Sequence, residues 1–276
     1  MTDNAAILRL KHLTLGYPGR GDVFRDLGAT LRRGELVSLL GANGSGKSTL
    51  LKALAGNLRP SSGMVEVEGR NLATLPAMAR ARLVSIVTTE KGMAGGLTVE
   101  ELVAMGRYPH TGALGRHTPA DRLIIASAID AVGLTPLAGR LTATLSDGER
   151  QKAMIARALA QDTPVMLLDE PTAFLDAASR IETLSLLRDL AAEHSKAVLL
   201  STHDIAPALR LSTRLWLVKP AASADPAPAA SACDSPLSTL ITGTPAELAA
   251  SPDGLPSLFP GRAVRFSPST SDYLPL

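Results

Sequence analysis

Residues 41–49 read Gly-Ala-Asn-Gly-Ser-Gly-Lys-Ser-Thr and match the pattern G-x-x-x-x-G-K-[ST], a spacing that suits phosphate. Gly41, Gly44 and Gly46 let the backbone turn inward, so that the N–H groups of Asn43 through Thr49 can face an anion. A helix starting there adds the positive end of its dipole. Lys47 has the reach for the β- and γ-phosphates of a nucleotide, and the Ser48 hydroxyl can ligate Mg²⁺. The flanking sequence supplies the context the motif needs. Leu36–Leu40 is an apolar run of strand length, and Leu50–Ala55 suits a helix.

Two further polar clusters end apolar runs. Val165–Leu168 runs into Asp169-Glu170, and Ala197–Leu200 runs into Ser201-Thr202-His203-Asp204. Asp169 could hold Mg²⁺, through water, and Glu170 could take a proton from, or orient, an attacking water. His203 could donate to a γ-phosphate. Short runs this apolar read as buried parallel strands, whose carboxyl ends form the ligand-binding edge of an open α/β sheet. The expectation is that one edge gathers Gly41–Thr49, Asp169-Glu170 and His203. Ser146 and Gly148 lie at a helix start, a natural anion site. Tyr17 could stack on a base, or simply pack at a strand end.

The elements that must position these groups follow in chain order. Ile7–Leu15 and Val23–Leu31 read as strands, separated by Tyr17-Pro18-Gly19, with Arg33-Gly34 turning into the next. Pro60–Gly63 is a turn, Met64–Glu68 alternates as an exposed strand, and Val84–Val87 is another apolar run. From about 91 to 146 the chain becomes mainly helical. Thr98-Val99-Glu100-Glu101 forms a capping box, Thr118-Pro119 opens a helix to about Val132, and Ser146 opens one to about Ala160. Residues 220–236 are rich in Ala, Pro and Ser and predict a disordered loop. Leu240–Thr242 returns as a strand and Thr244-Pro245 starts a short helix. The last fifteen residues give no clear signal.

Composition excludes several classes. The 276 residues are 45% hydrophobic with a net charge of +2, enough for a buried core and no argument for nucleic acid. Cys233 is the only cysteine, so no disulfide forms within the chain. The first residues lack a secretory pattern, and no apolar run reaches the roughly 18 residues of a membrane span. A cytoplasmic protein is expected, with any membrane association made through a partner.

Over roughly residues 6 to 250 the chain resembles the ATPase subunit of ABC transporters. Gly41–Thr49 resembles that family's Walker A loop, Val165–Glu170 its Walker B strand, Ala173–Asp176 its D-loop and His203 its switch histidine. Leu145–Gln151 stands where the family has LSGGQ. The resemblance implies an α/β P-loop NTPase with a RecA-like parallel-sheet core, an antiparallel β subdomain and an inserted helical subdomain at about 91–146. The ATPase domain would end near residue 219, with 220–276 as a loop and short extension.

It also implies ATP and Mg²⁺ as cofactors and Tyr17 as the base-stacking residue. The implied partners are integral membrane permease subunits on the cytoplasmic face, a second copy bound head to tail, and indirectly a substrate-binding protein. ATP would lie between one copy's Walker A loop and the other's Ser146 and Gly148.

Two departures stand out. The family's glutamine after Val87 is replaced by Thr88-Thr89-Glu90, which makes Glu90 the first substitute as a metal contact and Thr89 the second. The signature has Asp147 for glycine and Glu149 for glutamine. Leu102–Pro109 is similar to ATPases of iron-siderophore, haem and cobalamin importers, so iron-chelate import is expected. A cobalamin or other chelate importer is the alternative. A soluble ABC ATPase without a permease, and a nucleotide-binding regulator without turnover, are the readings from other classes.

Overall fold

The computed structural model describes residues 6–19, 21–88, 96–111, 115–220, 237–258, 264–267 and 272–275. Six strands form the central sheet: β3 (Leu36–Gly41), β6 (Val84–Val87), β7 (Val165–Leu168), β8 (Ala197–Ser201), β9 (Arg214–Lys219) and β10 (Thr239–Gly243). Their order is β10-β9-β3-β8-β7-β6, parallel except for β10.

The strands read as unbroken apolar runs because both faces of the sheet are covered. Leu36, Met166, Leu168, Val198 and Leu200 pack toward the helical side, into one core with α5 (Asp147–Ala160) and α6 (Ala177–Glu193). Their neighbours Val37, Leu39, Val165, Leu167, Ala197 and Leu199 pack the other way, against α1 (Lys47–Leu54) and a second sheet.

That second sheet is antiparallel, in the order β2-β1-β4-β5, built from β1 (Ala6–Tyr17), β2 (Gly21–Arg32), β4 (Ser62–Val67) and β5 (Arg70–Asn71). The alternating segment 64–68 is not the exposed strand its pattern suggests: Val65 and Val67 are buried beneath it. A strand with one solvated face still buries the other, and the two valines supply it.

After β5 comes α2 (Ala77–Ala81), and the helical insertion follows β6. It contains α3 (Val99–Ala104), a 3₁₀ turn at Met105–His110, α4 (Pro119–Ala131) and the start of α5. Capping boxes at Thr98, Thr118 and Ser146 start its three α-helices. A Cβ at Gly106 would collide with the Arg157 carbonyl oxygen, so only glycine lets the 3₁₀ turn lie on α5. Beside it, the buried Arg107 donates to Asp121 Oδ1 at 2.9 Å and to the Ala160 carbonyl at 2.8 Å. The 102–109 segment is therefore a packing device of the insertion.

After β8 come α7 (Ile205–Leu211), β9, β10 and α8 (Pro245–Ala250). A hairpin of β11 (Val264–Ser267) and β12 (Asp272–Pro275), which the sequence did not signal, places β12 against α7. Residues 221–236, the Ala/Pro/Ser stretch that includes Cys233, lie outside the described residues.

Candidate functional site

The loop after β3 turns through left-handed glycines at Gly44 (φ 79°) and Gly46 (φ 101°). Each of α3, α4, α5, α6 and α8 begins with a side chain that accepts a hydrogen bond from its first turn. α1, like the short α2 and α7, has no such cap, and it alone of the three starts at a left-handed glycine, Gly46. The first-turn amides of α1 are thus left without a side-chain acceptor, which suits an anion.

The loop rests on a floor from both sheets. A Cβ at Gly46 would stand 2.8 Å from the ring of Phe24 and from Val23 of β2, and one at Gly41 would stand 2.6 Å from the Val218 carbonyl of β9. Lys47 Nζ donates to the carbonyls of Gly41 (2.8 Å) and Ala42 (3.1 Å), so the ammonium lies across the loop. Burial lowers the Lys47 pKa, and the charges of Glu170 and then Asp169 oppose that shift. Ser45 Oγ is buried beneath the loop without a protein partner. Asn43 and Ser48 are exposed on it, and Thr49 Oγ1 lies 3.3 Å from the Tyr17 hydroxyl.

β8 lies between β3 and β7, so all three carboxyl ends meet at one edge as expected. Asp169 follows β7, and its N–H is held by the Val87 carbonyl at 2.8 Å. Glu170 has a left-handed backbone (φ 47°), a conformation that a non-glycine residue adopts at a cost. His203 Nδ1 stands 3.8 Å from Glu170 Oε2. Asp204 accepts from Arg180 Nη1 at 3.3 Å, while Arg180 Nε donates to the Leu175 carbonyl at 2.8 Å. The arginine thus links the turn after Glu170 to the His203 loop.

Sequence reasoning assigned no role to Ser201, which joins the two acids. Its hydroxyl donates to Asp169 Oδ1 at 2.6 Å and accepts the Glu170 N–H at 2.8 Å. The available signal was a polar residue closing an otherwise apolar buried strand. Phe24 and Arg180 were also missed, and nothing in their local sequence marks them.

Ser146 caps α5. Its N–H and hydroxyl both reach Glu149 Oε2, at 2.8 and 2.9 Å, and its oxygen accepts the Glu149 N–H at 3.3 Å. Those hydrogen bonds, from the Ser146 amide and then its hydroxyl, hold the Glu149 carboxyl below its usual pKa. Gly148 is partly exposed on the same turn. Ser146 and Gly148 lie in the helical insertion, and Glu90 falls outside the described residues.

The donor set can be tested against Mg²⁺. Among the described residues no three His, Cys, Asp or Glu side chains gather as a metal cage. Mg²⁺ is ordinarily bound by one or two carboxylates together with substrate phosphates. One anchored carboxylate at Asp169, and the Ser48 hydroxyl beside an uncapped helix start, fit that mode.

The sequence profile of the ABC transporter family matches residues 24–173. The ferric enterobactin transport ATP-binding protein of Escherichia coli is 39% identical over 215 residues, 78% of this chain and 79% of that protein. A cobalamin import ATP-binding protein of Halobacterium salinarum is 41% identical over 196 residues, 71% of this chain and 49% of that protein. The solved structure of a metal-chelate type ABC transporter in an inward-facing conformation matches with a TM-score of 0.77 at 27% identity. It covers 99% of this chain and 98% of the other.

Proposed function

This chain belongs to the ABC transporter family as an ATP-binding, ATP-hydrolysing subunit, and from that premise we propose that it powers import of an iron chelate. The observation that supports this best is the joint edge of the sheet, where Lys47 feels the charge of the Ser201-linked acids and His203 stands 3.8 Å from Glu170. The ATPase domain is taken as 1–219, with the helical insertion at about 91–146, and 220–276 as a loop and extension that adds β10 to the central sheet.

In this reading the α1 amides and Lys47 bind the nucleotide phosphates, and Tyr17 stacks on the base. Ser48 and Asp169 would hold Mg²⁺, with Glu90 as a further contact, and the bound ion would supply neutralisation of phosphate charge. Glu170 accepts a proton from the attacking water, and His203 donates toward the γ-phosphate. With its left-handed backbone, Glu170 holds its carboxylate 3.8 Å from His203 Nδ1. A positioned base of this kind contributes about 10²–10⁴-fold.

Ser146 and Gly148 complete the site from a second, head-to-tail copy. Among the described residues no helix is long and apolar enough to cross a membrane. Permease subunits on the cytoplasmic face of the membrane, which receive cargo from a binding protein, are the partners that the import relatives support.

The choice of cargo is supported by the ferric enterobactin relative and by residues 102–109. The cobalamin relative, at 41% identity, favours a second reading. Purifying the tagged chain with its permease and measuring ATPase stimulation separates the two. Stimulation by a binding protein loaded with ferric siderophore is expected. Stimulation by the cobalamin-loaded form alone moves the assignment to cobalamin. Recovery of an active ATPase with no membrane protein attached removes the transport reading.

A further inference from the structure

Ser201 ends β8 with no solvent exposure. Its one hydroxyl proton goes to Asp169 Oδ1, because an ionised carboxylate has none to give, and the 2.6 Å length is that of a charge-assisted bond. The oxygen then accepts the Glu170 N–H at 2.8 Å. One buried atom therefore fixes both halves of the acidic pair: the carboxylate of Asp169 and the backbone that turns left-handed at Glu170. Two other pairs of buried hydroxyls serve the fold alone. Ser38 pairs with Ser212 at 2.6 Å, and Thr163 with Ser85 at 2.9 Å, neither touching an acid.

The bonding leaves Asp169 one carboxylate oxygen, Oδ2, that Ser201 does not engage. It also fixes the carboxylate's rotation about its side-chain bonds, close enough to the glycine loop for Lys47 to feel the charge of both acids. Without the hydroxyl, Asp169 can rotate about its side-chain bonds, and the half-buried N–H at Glu170 loses its acceptor.

We infer that Ser201 is a positioning residue for the divalent cation of the nucleotide site, acting by orienting Asp169 and by holding the turn that presents Glu170. The inference rests on Asp169 being the carboxylate that holds Mg²⁺. Partners one step behind a metal ligand typically change metal affinity about 10–100-fold when removed.

The test compares Ser201→Ala, Ser201→Cys and Ser201→Thr with the parent. Mn²⁺ binding is followed by electron paramagnetic resonance in the presence of a non-hydrolysable ATP analogue. Binding of the same analogue in EDTA is measured by calorimetry. Ser201→Ala and Ser201→Cys should bind Mn²⁺ at least about tenfold more weakly, with metal-free affinity within about twofold of the parent. Ser201→Thr, which keeps the hydroxyl, should restore Mn²⁺ binding.

Unchanged Mn²⁺ affinity in the Ala and Cys variants would overturn the inference. So would a parallel loss of metal-free binding, which marks a merely structural role. Should Ser201→Ala fail to fold, the contrast between the near-isosteric Cys and Thr variants decides alone. A parent chain that binds no nucleotide in either condition would overturn the ATPase reading itself, an outcome distinct from a defect confined to the variants.

Discussion

Arg107 Nε donates to Asp121 Oδ1 at 2.9 Å, with both side chains buried and a second arginine bond to the Ala160 carbonyl. The pair fastens the 3₁₀ turn after α3 to the first turn of α4 and the last of α5. The segment 102–109, whose sequence suggested a cargo class, also holds the insertion together.

Removing one member of a buried pair leaves the other uncompensated, at a cost of about 3–5 kcal/mol. Arg107→Ala should therefore lower the unfolding free energy by an amount in that range, measured by urea denaturation at pH 7. The pH dependence follows from Asp121. The Thr118 hydroxyl and amide, and then Arg107, hold its carboxyl well below the usual carboxylate range. A depressed pKa stabilises the fold above the unfolded value of about 4, and that stability is lost as pH falls toward the folded value. The Thr118 bonds remain in Arg107→Ala, so its difference from the parent should persist through pH 4 and shrink only as Asp121 becomes protonated in the folded variant. Equal unfolding free energies at pH 7 would contradict the ion pair's role.

Gly46 combines a φ of 101° with a Cβ position 2.8 Å from the Phe24 ring. Gly46→Ala should cost about 1–2 kcal/mol from backbone handedness alone. The strained loop should also bind ATP at least tenfold more weakly, about 1.4 kcal/mol. Calorimetry of the folded variant checks this, and parental affinity would show that the loop tolerates a side chain.

Lys47 is the ammonium that lies across the loop carbonyls. Lys47→Ala should raise the Kd for ATP at least about a hundredfold, roughly 2.8 kcal/mol. Unchanged affinity by calorimetry would remove Lys47 from phosphate binding.

The stretch between β9 and β10 should be dispensable for hydrolysis. Its ends are already joined: Thr239 pairs with Lys219, and the Ser238 N–H bonds the Val23 carbonyl at 2.8 Å. Replacing residues 221–236 by a short Asn-Gly hairpin should keep turnover within about tenfold, or about 1.4 kcal/mol of barrier. A larger fall would give that stretch a part in the cycle.

Much of this was legible in the sequence because the chemistry lies where local patterns change. The glycine loop, Asp169-Glu170 and His203 each end an apolar run, and buried parallel strands leave that signature. The capping boxes at Thr98, Thr118 and Ser146 were equally local. The structure departs where contacts are distant in sequence. Phe24 under Gly46 and Ser201 between Asp169 and Glu170 depend on strand order, which composition does not encode. The buried face of Val65 and Val67 required knowing that β4 pairs with β1. β9 was passed over because a change in composition just beyond it drew the boundary. The β11–β12 hairpin follows no alternating run.

The central claim is that Glu170 is the base of an ATP-hydrolysing site shared between two copies. Glu170→Gln keeps the size of the side chain and one acceptor but cannot take a proton. Phosphate release should fall by at least about a hundredfold. ATP binding should survive, since Lys47, Ser48 and the loop amides are untouched. Light scattering after gel filtration in MgATP should then find the variant as a persistent dimer, with ATP held against Ser146 and Gly148 of the second copy. Hydrolysis at the parental rate would contradict the catalytic assignment, and an inactive variant that binds ATP yet stays monomeric would contradict the shared site.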